Sequence, residues 1–146
     1  RLQAHALART GARHRANALL TAMREDGAGD EETLGLLAST HKDLALEAAP
    51  GSSRRTRHFR CALDTYLAAH RGGYWTGINI AALRLLLGDA GKARATAAEV
   101  AELCQRAARD LDPGDGEQRY WVLATLGEAL LLQGQWDEAR RWYDEA

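Results

Sequence analysis

Cysteine, proline and net charge are all scarce in this sequence, and each scarcity closes off a class of protein. There are 2 cysteines, Cys61 and Cys104. They are neither neighbours nor a C-x-x-C, so they cannot make a metal site alone, and both read as core residues. With only 2 prolines against an abundance of Ala, Leu, Arg and Glu, helix is favoured throughout and nothing suggests strands. A hydrophobic share of 46% and a charged share of 27% argue against disorder. The net charge of −1 and pI near 6.6 supply no global attraction to nucleic acid or anionic membrane. No apolar run reaches the roughly 18 residues of a membrane span, and no signal segment begins the chain, so a soluble, cytoplasmic protein is expected. A compact domain near this size buries about 68–70% of the surface its unfolded chain exposes, which is enough for a real core.

What the chain does contain is repetition, clearest in Arg119 to Ala146, RYWVLATLGEALLLQGQWDEARRWYDEA. Leu126 and Gly127, then Gly134, Trp136, Ala139, Tyr143 and Ala146, follow the order and spacing of a helix-turn-helix repeat of about 34 residues. Each position has a physical task. Gly127 is small where the partner helix crosses, Gly134 suits the turn, and Ala139 lets the second helix approach the first. Tyr143 and Leu130 fill the space on either side. On these residues the segment resembles the tetratricopeptide repeat family.

Weaker copies precede it. Leu2, Leu7, Gly11, Ala16, Leu20 and Met23 form a half-preserved first unit, with Ala4 as its counterpart of Gly127 and Asp30 as the N-cap of the next helix. That helix, about Glu31 to Glu47, carries Leu34, Leu37, Ala38, His41 and Ala45 on one side. The run from Pro50 to Arg57 reads as a basic insertion, centred on Ser53 to Arg57, before a helix from about Arg57 to His70 that ends at Gly72 and Gly73. Ala81, Gly88 and Ala93 keep the register in the third unit, whose long second helix, about Lys92 to Asp110, stops at Asp112 to Gly116. The expected fold is all-α, a right-handed α-solenoid of about four hairpins with seven or eight helices. The unit boundaries are expected at 1–29, 30–73, 74–117 and 118–146. Because the chain starts and stops inside helical patterns, it is expected to be a segment of a longer protein.

A narrower resemblance rests on three stretches, ETLGLLASTHKDLALEA, YWTGINIAALRLLLGD and YWVLATLGEALLLQGQ. They resemble the tetratricopeptide region in the TRAF-binding domain of apoptosis-signal-regulating kinases and its bacterial relatives, described as tetratricopeptide sensor domains. The specific pieces are Lys42-Asp43, Tyr74 with Gly77-Ile78-Asn79, and Tyr120-Trp121 with Thr125. The resemblance implies a regulatory module, not a catalyst, set beside an effector domain in a signalling or bacterial defence protein. The basic insertion departs from the family's usual form.

In stacked tetratricopeptide units the first helices line a concave face that holds peptides or small ligands. The repeat register projects Ser39, Lys42 and Asp43, then Trp75 and Asn79, then Trp121, Thr125 and Glu128 onto it. Each has a structural alternative. Asn79, an amide among apolar residues, would bond a neighbouring helix end. Lys42 and Asp43 would pair along helices, and the tryptophans would pack between repeats. His41, where such repeats often carry Tyr, reads as packed. Arg54, Arg55 and Arg57 concentrate positive charge suited to a phosphate or acidic partner, the alternative being a solvated loop.

Signals for catalysis are weak. The 5 histidines include no H-E-x-x-H and no i, i+4 pair, so no metal site is expected. Gly88-Asp89-Ala90-Gly91-Lys92 lacks the strand, spacing and following Ser or Thr of a phosphate loop and reads as an interhelical turn. No cofactor is implied. The sequence therefore points to a binding or sensing module. Its expected partner is a peptide segment of another protein or of a flanking domain, and the alternative is a small nucleotide-derived ligand.

Overall fold

The computed structural model describes residues 6–7, 12–27, 29–112 and 114–146. Leu2, Ala4 and Gly11 of the expected first unit lie outside the described residues, as does Pro113 in the stop of the long helix. Among the described residues there are seven helices and no strand, the all-α helical-repeat fold of the solenoid class. The chain divides into two compact units, Arg1–Arg71 and Gly72–Ala146.

The first unit contains α1 (Arg13–Glu25), α2 (Glu31–Glu47) and α3 (Ser53–Ala69), with α2 packed against both others. The start of α2 is set by Asp30, whose carboxylate accepts from the Thr33 backbone N–H at 3.0 Å and from the Thr33 hydroxyl at 2.8 Å. This satisfies one of the donors left open at a helix N-terminus. Ala16, Ala38, Ala45, Ala62 and Ala69 are wholly buried, and with no side chain beyond Cβ they allow the close approach that Leu20, Leu37 and Tyr66 then fill. Each fully buried leucine contributes roughly 1.5–3 kcal/mol. Polar bridges fix the α1–α2 pairing: Asn17 donates to the Thr40 hydroxyl at 2.9 Å, and Arg13 donates to Glu47 at 2.6 Å.

Two expectations need correction in this unit. Ser53 to Arg57 is not a basic insertion loop but the first turns of α3, and the connection is only the stretch from Ala48 to Ser52. The Ser52 hydroxyl caps the helix by accepting from the Arg55 N–H at 3.2 Å, and arginine is a good helix former once a cap exists. Cys61, expected in the core, is only partly buried on α3, whereas Cys104 is fully buried.

The second unit contains α4 (Tyr74–Leu86), α5 (Ala90–Arg109), α6 (Gly116–Leu132) and α7 (Trp136–Glu145). Each packs on the next, and α4 also touches α6, as first helices do in stacked hairpins. Ile78, Val100, Cys104, Val122, Leu126 and Leu130 form one apolar core with Ala101, Ala129 and Ala139. Burial pushes the Cys104 thiol up to about 12, so it remains a neutral packing group. Between α6 and α7 the backbone turns through Gly134 at φ +81, a conformation closed to most side chains. Arg84 of α4 donates to the Thr96 hydroxyl of α5, tying the first hairpin of this unit across its faces.

Candidate ligand-recognition site

The residues projected onto the first helices fall in both units, and each group has its own surroundings. In the first unit, Ser39, Lys42 and Asp43 lie one turn apart on α2 and face Tyr66 of α3. Ser39 hydrogen-bonds the Tyr66 side chain, and the Lys42 ammonium stands 5.9 Å from the ring centroid. Burial, then the Asp43 charge, push the phenol well above its ordinary range, while the Ser39 bond opposes them. Asp43 also lies 3.7 Å from the Arg13 guanidinium of α1. The three residues are partly exposed, yet they also hold a buried tyrosine in place.

Beside this cluster, His41 of α2 and His58 of α3 meet Nδ1 to Nδ1 at 3.2 Å, with ring centroids 5.5 Å apart. One ring must donate and the other accept, so at least one is neutral. Burial, then the charges of His58 and Arg24, lower His41 to about 4. Burial, followed by Arg54, His14 and Arg57, also lowers His58. Of the candidate anion ligands, Arg54 and Arg57 are exposed on α3. Arg55 instead stacks over the Phe59 ring at 5.5 Å and reaches the Ala48 carbonyl at 3.4 Å.

In the second unit a cleft of about 490 Å³ opens between α4 and the start of α6. It is lined by the apolar and aromatic side chains of Tyr74, Trp75, Trp121 and Thr125 and by the polar ones of Asp115, Glu117 and Gln118. Local structure accounts for each placement. Thr76, Gly77, Ile78, Ile80 and Ala81 turn α4 inward, which leaves Trp75 outward with 47% of its surface exposed. Val122, Leu123 and Leu126 do the same for α6, leaving Trp121 55% exposed. The tryptophans therefore do not pack away between repeats. Tyr120 meets the Trp121 ring edge-on, at a centroid distance of 5.2 Å. The Thr125 hydroxyl donates to the Trp121 carbonyl at 2.7 Å, which uses its one proton and leaves its oxygen as an acceptor. Asp115 caps α6 by accepting from the Gln118 N–H at 3.0 Å.

Of the expected residues of this unit, the cleft brings together Trp75, Trp121 and Thr125. Asn79 sits one turn along α4 and donates to the Trp75 carbonyl at 2.8 Å, a bond within its own helix. Glu128 lies near Tyr143, whose phenol is raised chiefly by burial and then by the Glu128 charge. Sequence reasoning passed over Asp115, Glu117 and Gln118. The signal was available, since Asp115-Gly-Glu-Gln118 has the spacing of a capping box and so marks a helix start.

An aromatic cleft lined by polar groups can recognise and orient a ligand. Among the described residues no cluster of His, Cys, Asp or Glu is arranged to hold a metal ion, and no helix is long and apolar enough to cross a membrane. Fold and site together define a tetratricopeptide-like sensor or interaction module. The sequence model of the Tetratricopeptide Repeats-Sensor family (TPR-S) matches residues 1–84, more than half of the 146-residue chain, and the protein belongs to that family. No curated protein and no solved structure matches the chain.

Proposed function

We propose that this chain is a non-catalytic regulatory module that binds a peptide segment, from a partner protein or from a flanking domain, and couples that binding to an effector in a signalling or bacterial defence protein. The observation that supports it is the α4/α6 cleft, where two tryptophans stand half exposed on a rigid pair of helices. Large aromatic rings left in a concave surface are the usual anchors of peptide recognition, because they bury much apolar area at little cost in side-chain entropy. Asn79 and Glu128 flank this face on α4 and α6, and Ser39, Lys42 and Asp43 offer a polar surface on α2. Arg54 and Arg57 add exposed positive charge for an acidic contact. Binding regulates an attached effector only if the peptide prefers one of two conformations of the module.

The test is selection from a displayed library of random peptides on this chain. Enriched peptides are expected to lose binding to Trp75→Ala and Trp121→Ala, with helicity unchanged by circular dichroism. Enrichment indifferent to both substitutions would overturn the reading. The other reading, a nucleotide-derived ligand, draws support from the same rings, which can stack a base. The carboxylates of Asp115 and Glu117 in the lining weigh against it, since they repel phosphate.

A further inference from the structure

We infer that the α4/α6 cleft selects a cationic side chain of the bound peptide, arginine above all. This rests on the peptide-binding reading and specifies what the cleft accepts. The charged residues of its lining are Asp115 and Glu117, and both are acidic. They sit at the start of α6, where a helix end favours an anion. The chain has filled that place with its own carboxylates, and the Gln118 N–H is already bonded to Asp115. An incoming ligand therefore meets negative charge at that helix start. The same cleft is lined by the indoles of Trp75 on α4 and of Trp121, one turn along α6 from Glu117, each about half exposed. A ring face attracts a cation within about 6 Å of its centroid. The planar guanidinium answers both features at once: it stacks on an indole while its edge donates two parallel hydrogen bonds to a carboxylate. Lysine answers the charge alone, and a phosphate is repelled by both carboxylates.

The experiment uses the peptides enriched by this chain from the displayed library. Those that depend on Trp75 and Trp121 are resynthesised with each arginine replaced by citrulline, which keeps the shape and removes the charge. For one arginine per peptide, the replacement is expected to weaken binding about tenfold, and added salt to weaken the parent peptide. Asp115→Asn with Glu117→Gln should shrink the difference between arginine and citrulline to the part contributed by the indoles. The Asn variant keeps a capping side chain, so the fold is preserved. Tryptophan-dependent peptides that lack a basic residue, or whose arginine can become citrulline without loss, would overturn the inference and leave the peptide-binding reading standing. The same holds if the paired substitution leaves the arginine preference intact. If no enriched peptide depends on the tryptophans, the reading falls and the inference with it.

Discussion

Tyr143 of α7 packs against Gly127 of α6, so near that a Cβ at Gly127 would stand 3.1 Å from the tyrosine ring. The glycine is the contact point at which the last two helices cross. An alanine there would gain about 1 kcal/mol of helix propensity and lose a similar amount to crowding, because the half-exposed ring can yield a few tenths of an ångström. Gly127→Ala is therefore expected to be near neutral in urea unfolding. Gly127→Leu cannot be accommodated and should cost about 2 kcal/mol. Equal stability of the leucine variant and the parent would refute the close crossing.

Tyr66 supplies a second test. Its side chain is 1% exposed and its phenol is held by Ser39. Tyr66→Phe and Ser39→Ala should each cost about 1 kcal/mol, and the double variant scarcely more than the larger single loss, since both remove one bond. Fully additive losses would show that the two groups act independently. Tyr66→Ala, which empties the space between α2 and α3, should cost about 3–5 kcal/mol.

The pair His41 and His58 makes the protein sensitive to acid in a defined window. His41 titrates near 6.5 when unfolded and at about 4 in the folded chain. Above the unfolded value both states are neutral and the stabilising contribution is fully present. Between the two values the unfolded chain binds a proton that the folded chain refuses, so stability falls as pH falls from about 6.5 towards 4. With allowance for partial exposure the loss is on the order of 1–2 kcal/mol. Arg24 and His14 of α1 and Arg54 and Arg57 of α3 act in the same direction on this pair. His41→Gln should flatten the dependence of the melting temperature on pH in that window; an unaltered slope would show that other groups carry it.

The helix caps separate stability from binding. Asp30→Ala and Asp115→Ala should each cost about 1 kcal/mol, whereas the asparagine variants should cost a few tenths, because the amide oxygen still accepts the N–H. Thermal unfolding checks this directly. An equal loss for Asp115→Asn and Asp115→Ala would mean that charge at the start of α6, not the cap bond, stabilises the helix.

Much of the fold was legible because its determinants are local. The Asp30 cap, the turn glycines Gly88 and Gly134, and the repeated small residues Ala38, Ala81 and Gly127 each act within a turn or at a fixed offset. The start of α3 was not legible in the same way. Ser53 to Arg57 reads as a basic loop after Pro50-Gly51, yet the Ser52 cap and the stacking of Arg55 on Phe59, a contact one turn away, convert it into helix. Of the candidate site, Trp75, Trp121 and Thr125 could be projected because they hold corresponding places on first helices. The capping-box spacing from Asp115 to Gln118 marks the start of α6, but nothing in that neighbourhood tells that Tyr74 and Trp75 of α4 will line the same cleft.

The sequence by itself determined the class of structure: helices of set length, small residues where they cross, glycine where they turn. These are properties of a residue and its near neighbours. Only the tertiary structure decided which side chains share a surface, placing Tyr66 under Ser39 and Asp43 and the α6 carboxylates beside the indoles of Trp75 and Trp121. The reason is physical. Backbone hydrogen bonds and apolar periodicity are satisfied within one helix or one hairpin, whereas the chemistry of a cleft depends on the packing of helices that are distant in sequence, and many different pairs of exposed residues would satisfy the same repeat.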